Sequence, residues 1–141
     1  MKVNIKNVGG EITKDNETYT LQDNNFLNNL TLSSTFLKPN QSTRGHSHDD
    51  LEEVYFITNG VGVMVLGDTS MPVETGDVIL IPAGKFHRVI NDTDEMLEFV
   101  CVFQKYDRSS DTAKYKVDED VSDLAMYNTK MFKHILRRYD S

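Results

Sequence analysis

The stretch GHSHDDLEEVYFITNG, Gly45 to Gly60, combines two histidines, four acidic residues and a β-forming run that ends in Asn-Gly. His46 and His48 are two apart, so on an extended chain both rings face the same side. Glu53 follows at odd separation from His48. It rejoins that side only if Asp49-Asp50-Leu51 turn the chain into a neighbouring strand. Val54 to Thr58 then reads as a strand, and Asn59-Gly60 ahead of the apolar run Val61 to Leu66 is the strongest short hairpin signal a sequence offers. A second stretch, GDVILIPAGKFHRVIN, Gly76 to Asn91, follows the same pattern. Gly76-Asp77 opens a strand, Pro82-Ala83-Gly84 bends the chain, and His87 starts the next strand with a third imidazole.

Outward from these stretches the pattern continues. Leu30 to Leu37 is rich in threonine and apolar residues and stops at Pro39-Asn40. Asp77–Ile81, His87–Ile90 and Leu97–Phe103 are short and rich in β-branched or aromatic residues. Turn signals at Asn59-Gly60, Gly67-Asp68, Thr75-Gly76-Asp77, Pro82-Ala83-Gly84 and Asn91-Asp92 separate the strands. Many short strands with frequent turns and no helical period make an all-β sandwich or barrel. The first residues are weakly patterned: a short strand through Val3, Ile5 and Val8, a turn at Gly9-Gly10, a strand near Tyr19 and a polar loop around Asp23-Asn24-Asn25. Residues 105–120 form a charged excursion. Ser122 caps a C-terminal helix with Leu124, Met131 and Ile135 on one stripe, Lys133, Arg137 and Arg138 near its end, and His134 among basic neighbours. The domain thus divides into N-terminal strands and loop (1–29), barrel (30–104), and excursion plus helix (105–141).

Composition excludes several classes. The chain has 141 residues, with 15 Lys and Arg against 22 Asp and Glu, for a net charge of −7. A phosphate backbone repels that field, so nucleic acid is not an expected partner. No apolar run approaches a membrane span or a signal-peptide core, so no membrane partner and a cytoplasmic location are expected. The single cysteine, Cys101, rules out an intrachain disulfide and sits in an apolar strand as a small core residue.

The two stretches resemble the two cupin motifs. The first matches G-x5-H-x-H-x4-E-x6-G from its first histidine onward, with Asn40 in place of the leading glycine, and Glu53 rather than Glu52 stands six residues before Gly60. The second matches G-x5-P-x-G-x2-H-x3-N at Gly76, Pro82, Gly84, His87 and Asn91. The resemblance implies a single cupin barrel, a jelly-roll-like double-stranded β-helix. One divalent transition metal (iron, manganese, zinc, nickel or cobalt) would be held by His46, His48, Glu53 and His87. Such a donor set leaves coordination positions open, as a working site requires. Residues 1–20 and the C-terminal helix are similar to the elements through which small cupins pair, which implies a homodimer.

Strand parity extends the site. With Glu53 inward, Tyr55 and Ile57 are inward too. With His87 inward, Val89 follows and Arg88 does not. On the last strand Phe99, Cys101 and Phe103 face the lumen in preference to Glu98. Arg44 and Lys85 flank the motifs and can pair an anionic group on a small-molecule substrate, and Tyr55 is a candidate acid or base. Ser42 to His48 and Asn59 to Met64 are locally similar to small sugar-phosphate isomerase cupins, although Gly84-Lys85-Phe86 replaces the aromatic residues expected before the third histidine. Three function classes follow: a metal-dependent isomerase or epimerase of a sugar or hydroxy acid, an Fe(II) dioxygenase, and a non-catalytic metal-dependent binding protein. No helix-turn-helix precedes the barrel, so a fused transcription factor is not expected.

Overall fold

A computed structural model describes residues 1–107, which contain nine strands and no helix. They are β1 (Glu11–Asp15), β2 (Tyr19–Asn24), β3 (Leu30–Leu37), β4 (Glu53–Asn59), β5 (Val61–Leu66), β6 (Thr69–Glu74), β7 (Val78–Ile81), β8 (His87–Ile90) and β9 (Leu97–Gln104). The charged excursion beyond Asp107, the C-terminal helix and His134 lie outside the described residues.

The strands form a six-stranded sheet of order β1-β2-β3-β9-β4-β7 and a three-stranded sheet of order β6-β5-β8, antiparallel throughout. Alternation in sequence becomes two faces in space. Glu53, Tyr55 and Ile57 are buried on β4, and Phe99, Cys101 and Phe103 on β9. Register joins them into cross-strand rows: Thr31, Phe103, Glu53 and Ile81, then Ser33, Cys101, Tyr55 and Ile79. From the smaller sheet, Met64 and Val89 pack into the same core. The opposite parity leaves Phe56, Val78 and Leu80 exposed on the outer face of the large sheet.

Three sequence expectations need correction. Residues 1–8 hold no strand. They turn through an isolated Asn4–Asn7 bridge, Val3 and Ile5 are exposed, and Val8 alone is buried. Asp23 and Asn24 end β2 as buried residues instead of forming a loop, because the Asn24 amide donates to the Val8 carbonyl at 2.7 Å. The strand β6 was not legible because Pro72 interrupts it. It lies at a sheet edge, where proline removes no hydrogen bond the fold needs.

Asn91 ties the strand ends together from a fully buried position, 1% exposed. Its amide nitrogen donates to the carbonyls of Leu37, Lys38 and Glu95 at 2.7–3.1 Å, and its oxygen accepts from the Thr93 N–H and hydroxyl. Asn40, in place of the motif glycine, takes a left-handed φ of 57°. Gly60 has φ 102°, and a Cβ there would meet the Met96 carbonyl oxygen at 2.7 Å. Asn91→Ala should lower the unfolding free energy by about 3 kcal/mol, because several buried polar groups lose their partner at once. Urea unfolding measures this, and a loss below about 1 kcal/mol contradicts the role.

Candidate metal centre

The site forms where three pieces of chain converge on one carboxylate. Glu53 opens β4 on the inner face, 4% exposed, with Phe103 and Ile81 as its neighbours in register. Glu52, one residue earlier, points outward and is exposed. His87 opens β8, 3% exposed. His46 and His48 come from the irregular segment between β3 and β4, not from a regular strand. That segment runs antiparallel beside β8 through isolated bridges, Ser42 to Ile90 and His46 to His87.

Backbone bonds fix this convergence. His46 and His87 exchange N–H···O bonds of 3.1 and 3.0 Å, and the Gly84 N–H donates to the His48 carbonyl at 2.6 Å. The Pro82-Ala83-Gly84 bend thus reaches the first histidine pair as well as positioning His87. Gly45 precedes His46 at φ 87°, and a Cβ there would lie 2.6 Å from the Phe86 ring. Arg88 adds a clamp that the sequence did not reveal. Its guanidinium donates to the Thr43 carbonyl at 2.8 Å and the Ser42 hydroxyl at 2.6 Å, holding the incoming segment against β8.

The three Nε2 atoms are buried and gather on the carboxylate: His87 at 3.0 Å, His48 at 3.6 Å and His46 at 4.0 Å. The donor atoms of His46, Glu53 and His87 all lie within 4.8 Å of one another, a grouping able to hold a metal ion. His48 falls outside that grouping and outside the cavity lining; its Nε2 lies 3.6 Å from the Glu53 carboxylate, and its ring is 4.4 Å from that of His46 and 4.6 Å from that of Tyr106.

The His87 ring tests whether these groups suit a cation. Its Nδ1 lies 3.0 Å from the Lys85 carbonyl oxygen, which can only accept, so Nδ1 carries a proton. In the neutral ring Nε2 is then a lone pair 3.0 Å from a carboxylate oxygen, and in the protonated ring it donates to that oxygen. Two electron-rich atoms that close inside a protein require a positive charge between them, either a proton or a metal ion. A histidine that donates its other N–H to a backbone carbonyl is the usual arrangement of a metal-ligating imidazole. The donor set therefore fits a divalent transition metal, with mixed nitrogen and oxygen donors. Burial pushes the Glu53 carboxyl up, but His87 first, then the charges of His46 and His48, outweigh it and hold the group below its ordinary value.

A cavity of about 380 Å³ ends on His46, Glu53 and His87. Arg44 and Tyr55 line it. Tyr55 stacks on Phe99 with ring centroids 5.4 Å apart and meets the His87 ring edge-on at 5.8 Å. Lys85 is not among the lining residues, and a Cβ on Gly67 would sit 3.3 Å from its Nζ. Thr13, Lys14 and Tyr19 of the first hairpin do line the cavity, and no sequence motif indicated them.

Comparison with known proteins agrees with this architecture. Residues 35–103 match the family model described as the cupin domain. The chain is 33% identical over 66 residues to an oxalate-binding protein of Thermotoga maritima, covering 47% of this chain and 54% of that protein. It is 30% identical over 100 residues to a glucose-6-phosphate isomerase of Pyrococcus abyssi, covering 62% and 53%. The chain thus spans about half the length of the curated relatives it matches. Among solved structures, a Cupin 2 conserved barrel domain protein of Salinispora arenicola superposes with a TM-score of 0.57 at 24% identity over 67% of this chain and 82% of that one. A sugar phosphate isomerase from the cupin superfamily of Silicibacter pomeroyi gives 0.59 at 23% identity, covering 64% and 61%. At these identities the structural likeness concerns the fold. With two motif halves joined at His46 and His87 inside a two-sheet barrel, residues 35–103 form a cupin domain.

Proposed function

We propose that this protein holds one divalent transition metal through His46, His48, Glu53 and His87 and acts on a small oxygen-rich metabolite in the adjoining cavity. The reaction class we assign is isomerisation or epimerisation of a sugar or hydroxy acid. The observation that carries the reading is the convergence of three buried imidazole nitrogens on one buried carboxylate at the end of a 380 Å³ cavity. A cavity of this volume lies at the small end of metabolite pockets. Bound there, the metal would supply Lewis-acid polarisation of adjacent substrate oxygens.

The chain's own residues have separable tasks. The Lys85 carbonyl holds the His87 tautomer, and the apolar walls at Phe99 and Phe103 limit water. Tyr55 has its ring against His87 and lines the cavity, so its hydroxyl is the candidate to carry a proton to or from substrate. The relatives named glucose-6-phosphate isomerase support the isomerase reading, and the relative named oxalate-binding protein supports a second, non-catalytic one.

Metal analysis of protein titrated with manganese or zinc should give one ion per chain. Glu53→Gln should weaken that binding by at least about tenfold, as loss of a charged ligand should, whereas Glu52→Gln leaves it unchanged. Equal effects of the two substitutions would sink the assignment. With metal bound, turnover of an aldose or hydroxy acid should proceed without air. Tyr55→Phe should lower kcat by about 100-fold with the metal stoichiometry intact. Oxygen uptake that requires iron would move the protein to the dioxygenase class, and metal-dependent binding without turnover of any sugar or hydroxy acid would move it to the binding class.

A further inference from the structure

The cavity wall opposite in origin to the motifs is the β1–β2 hairpin. Thr13 and Lys14 are consecutive residues of β1, yet both line the cavity. On a regular strand, neighbours point to opposite faces. Here the pairing of β1 with β2 shifts register between Ile12 and Lys14. A bulge of this kind re-aims a side chain. Lys14 consequently shares the inner face with its register partner Leu21, itself a lining residue. Its Nζ lies 3.4 Å from the Tyr19 hydroxyl and 6.0 Å from the centre of that ring, which also lines the cavity.

The charge of this lining runs against the charge of the chain. Acidic residues outnumber basic ones 22 to 15 overall. The cavity lining holds two cations, Lys14 and Arg44, and a single carboxylate, Glu53, which is turned to the imidazoles. The other polar lining groups, apart from the histidines, include the neutral hydroxyls of Thr13, Ser33 and Thr43. Lys14 and Arg44 are exposed residues of this lining, so they would meet an oxyanion from the solvent side, beside the buried apolar walls at Leu21, Phe99 and Phe103.

We propose that Lys14 and Arg44 form an anion subsite in this cavity, and that the ligand is a small polyhydroxylated molecule bearing a phosphate or carboxylate group. The subsite selects the ligand's charged group while its neutral oxygens face the His and Glu donors, so the second half of the proposal rests on the metal reading above. The hairpin lysine is then a specificity-determining residue contributed from outside both sequence motifs.

Calorimetric titration of the full chain, metal-free and manganese-loaded, tests this with matched probes: glucose 6-phosphate against glucose for the phosphate arm, gluconate against sorbitol for the carboxylate arm. The expected result is binding of at least one charged probe about tenfold or more tighter than its neutral partner. Lys14→Gln and Arg44→Gln should each remove most of that preference, with metal stoichiometry and neutral-probe binding unchanged. Equal binding of charged and neutral probes overturns the subsite. So does absence of binding by all four at millimolar concentration. If Lys14→Gln binds as the unsubstituted protein does, the lysine serves only to keep an edge strand solvated, and the proposal fails. The two arms separate the readings: a charge preference in the metal-free titration upholds the subsite, while manganese stoichiometry alone upholds or removes the metal site.

Discussion

A carboxylate sealed from water between apolar neighbours is costly unless positive charge lies beside it. Glu53 is in that position, flanked in its sheet by Phe103 and Ile81 and 4% exposed. Its polar company comes from elsewhere in the chain: His87 at the start of β8, and His46 and His48 from the segment before β4. With Nδ1 donating to the Lys85 carbonyl, the neutral His87 ring turns a lone pair toward the carboxylate. An arrangement that would be repulsive with nothing between its atoms is stable once they share a cation.

Much of the barrel serves to bring those groups together. The reciprocal bonds between His46 and His87 join the two motifs directly, and Gly84 reaches across to His48. Arg88 faces away from the cavity, yet it clamps Ser42 and Thr43 and so sets the path by which His46 arrives. Asn91 closes the other end of the same strand on the carbonyls of Leu37 and Lys38, just before the incoming segment. Motif positions that touch no ligand therefore act on the site through the backbone.

Much of this was legible because strands with one buried face write their parity into sequence. The burial of Glu53, Tyr55 and Ile57, and of Phe99, Cys101 and Phe103, follows from alternation once the motif sets Glu53 inward and the charge of Glu98 sets the face of the last strand. The distinction between Glu53 and Glu52 was visible in the spacing to Gly60, and the fold puts one inside and leaves the other exposed. What escaped is where local rules break. Pro72 hid an edge strand, and the fully exposed β1 had no apolar face to announce it. Lys14 reaches the cavity only because a bulge reverses its parity, and bulges leave no reliable mark in a single sequence. Lys85 looked adjacent to His87 in sequence, but its side chain lies over Gly67, and it is the backbone carbonyl that meets the ring.

X-ray absorption on the cobalt-loaded full chain reads most directly which side chains of the proposed site hold the ion. Cys101 lines the same cavity and offers the competing donor. The expected spectrum contains only nitrogen and oxygen neighbours, with the outer-sphere scattering of three imidazole rings. A sulfur shell, or scattering from fewer than three imidazoles, would contradict a site built from His46, His48, Glu53 and His87.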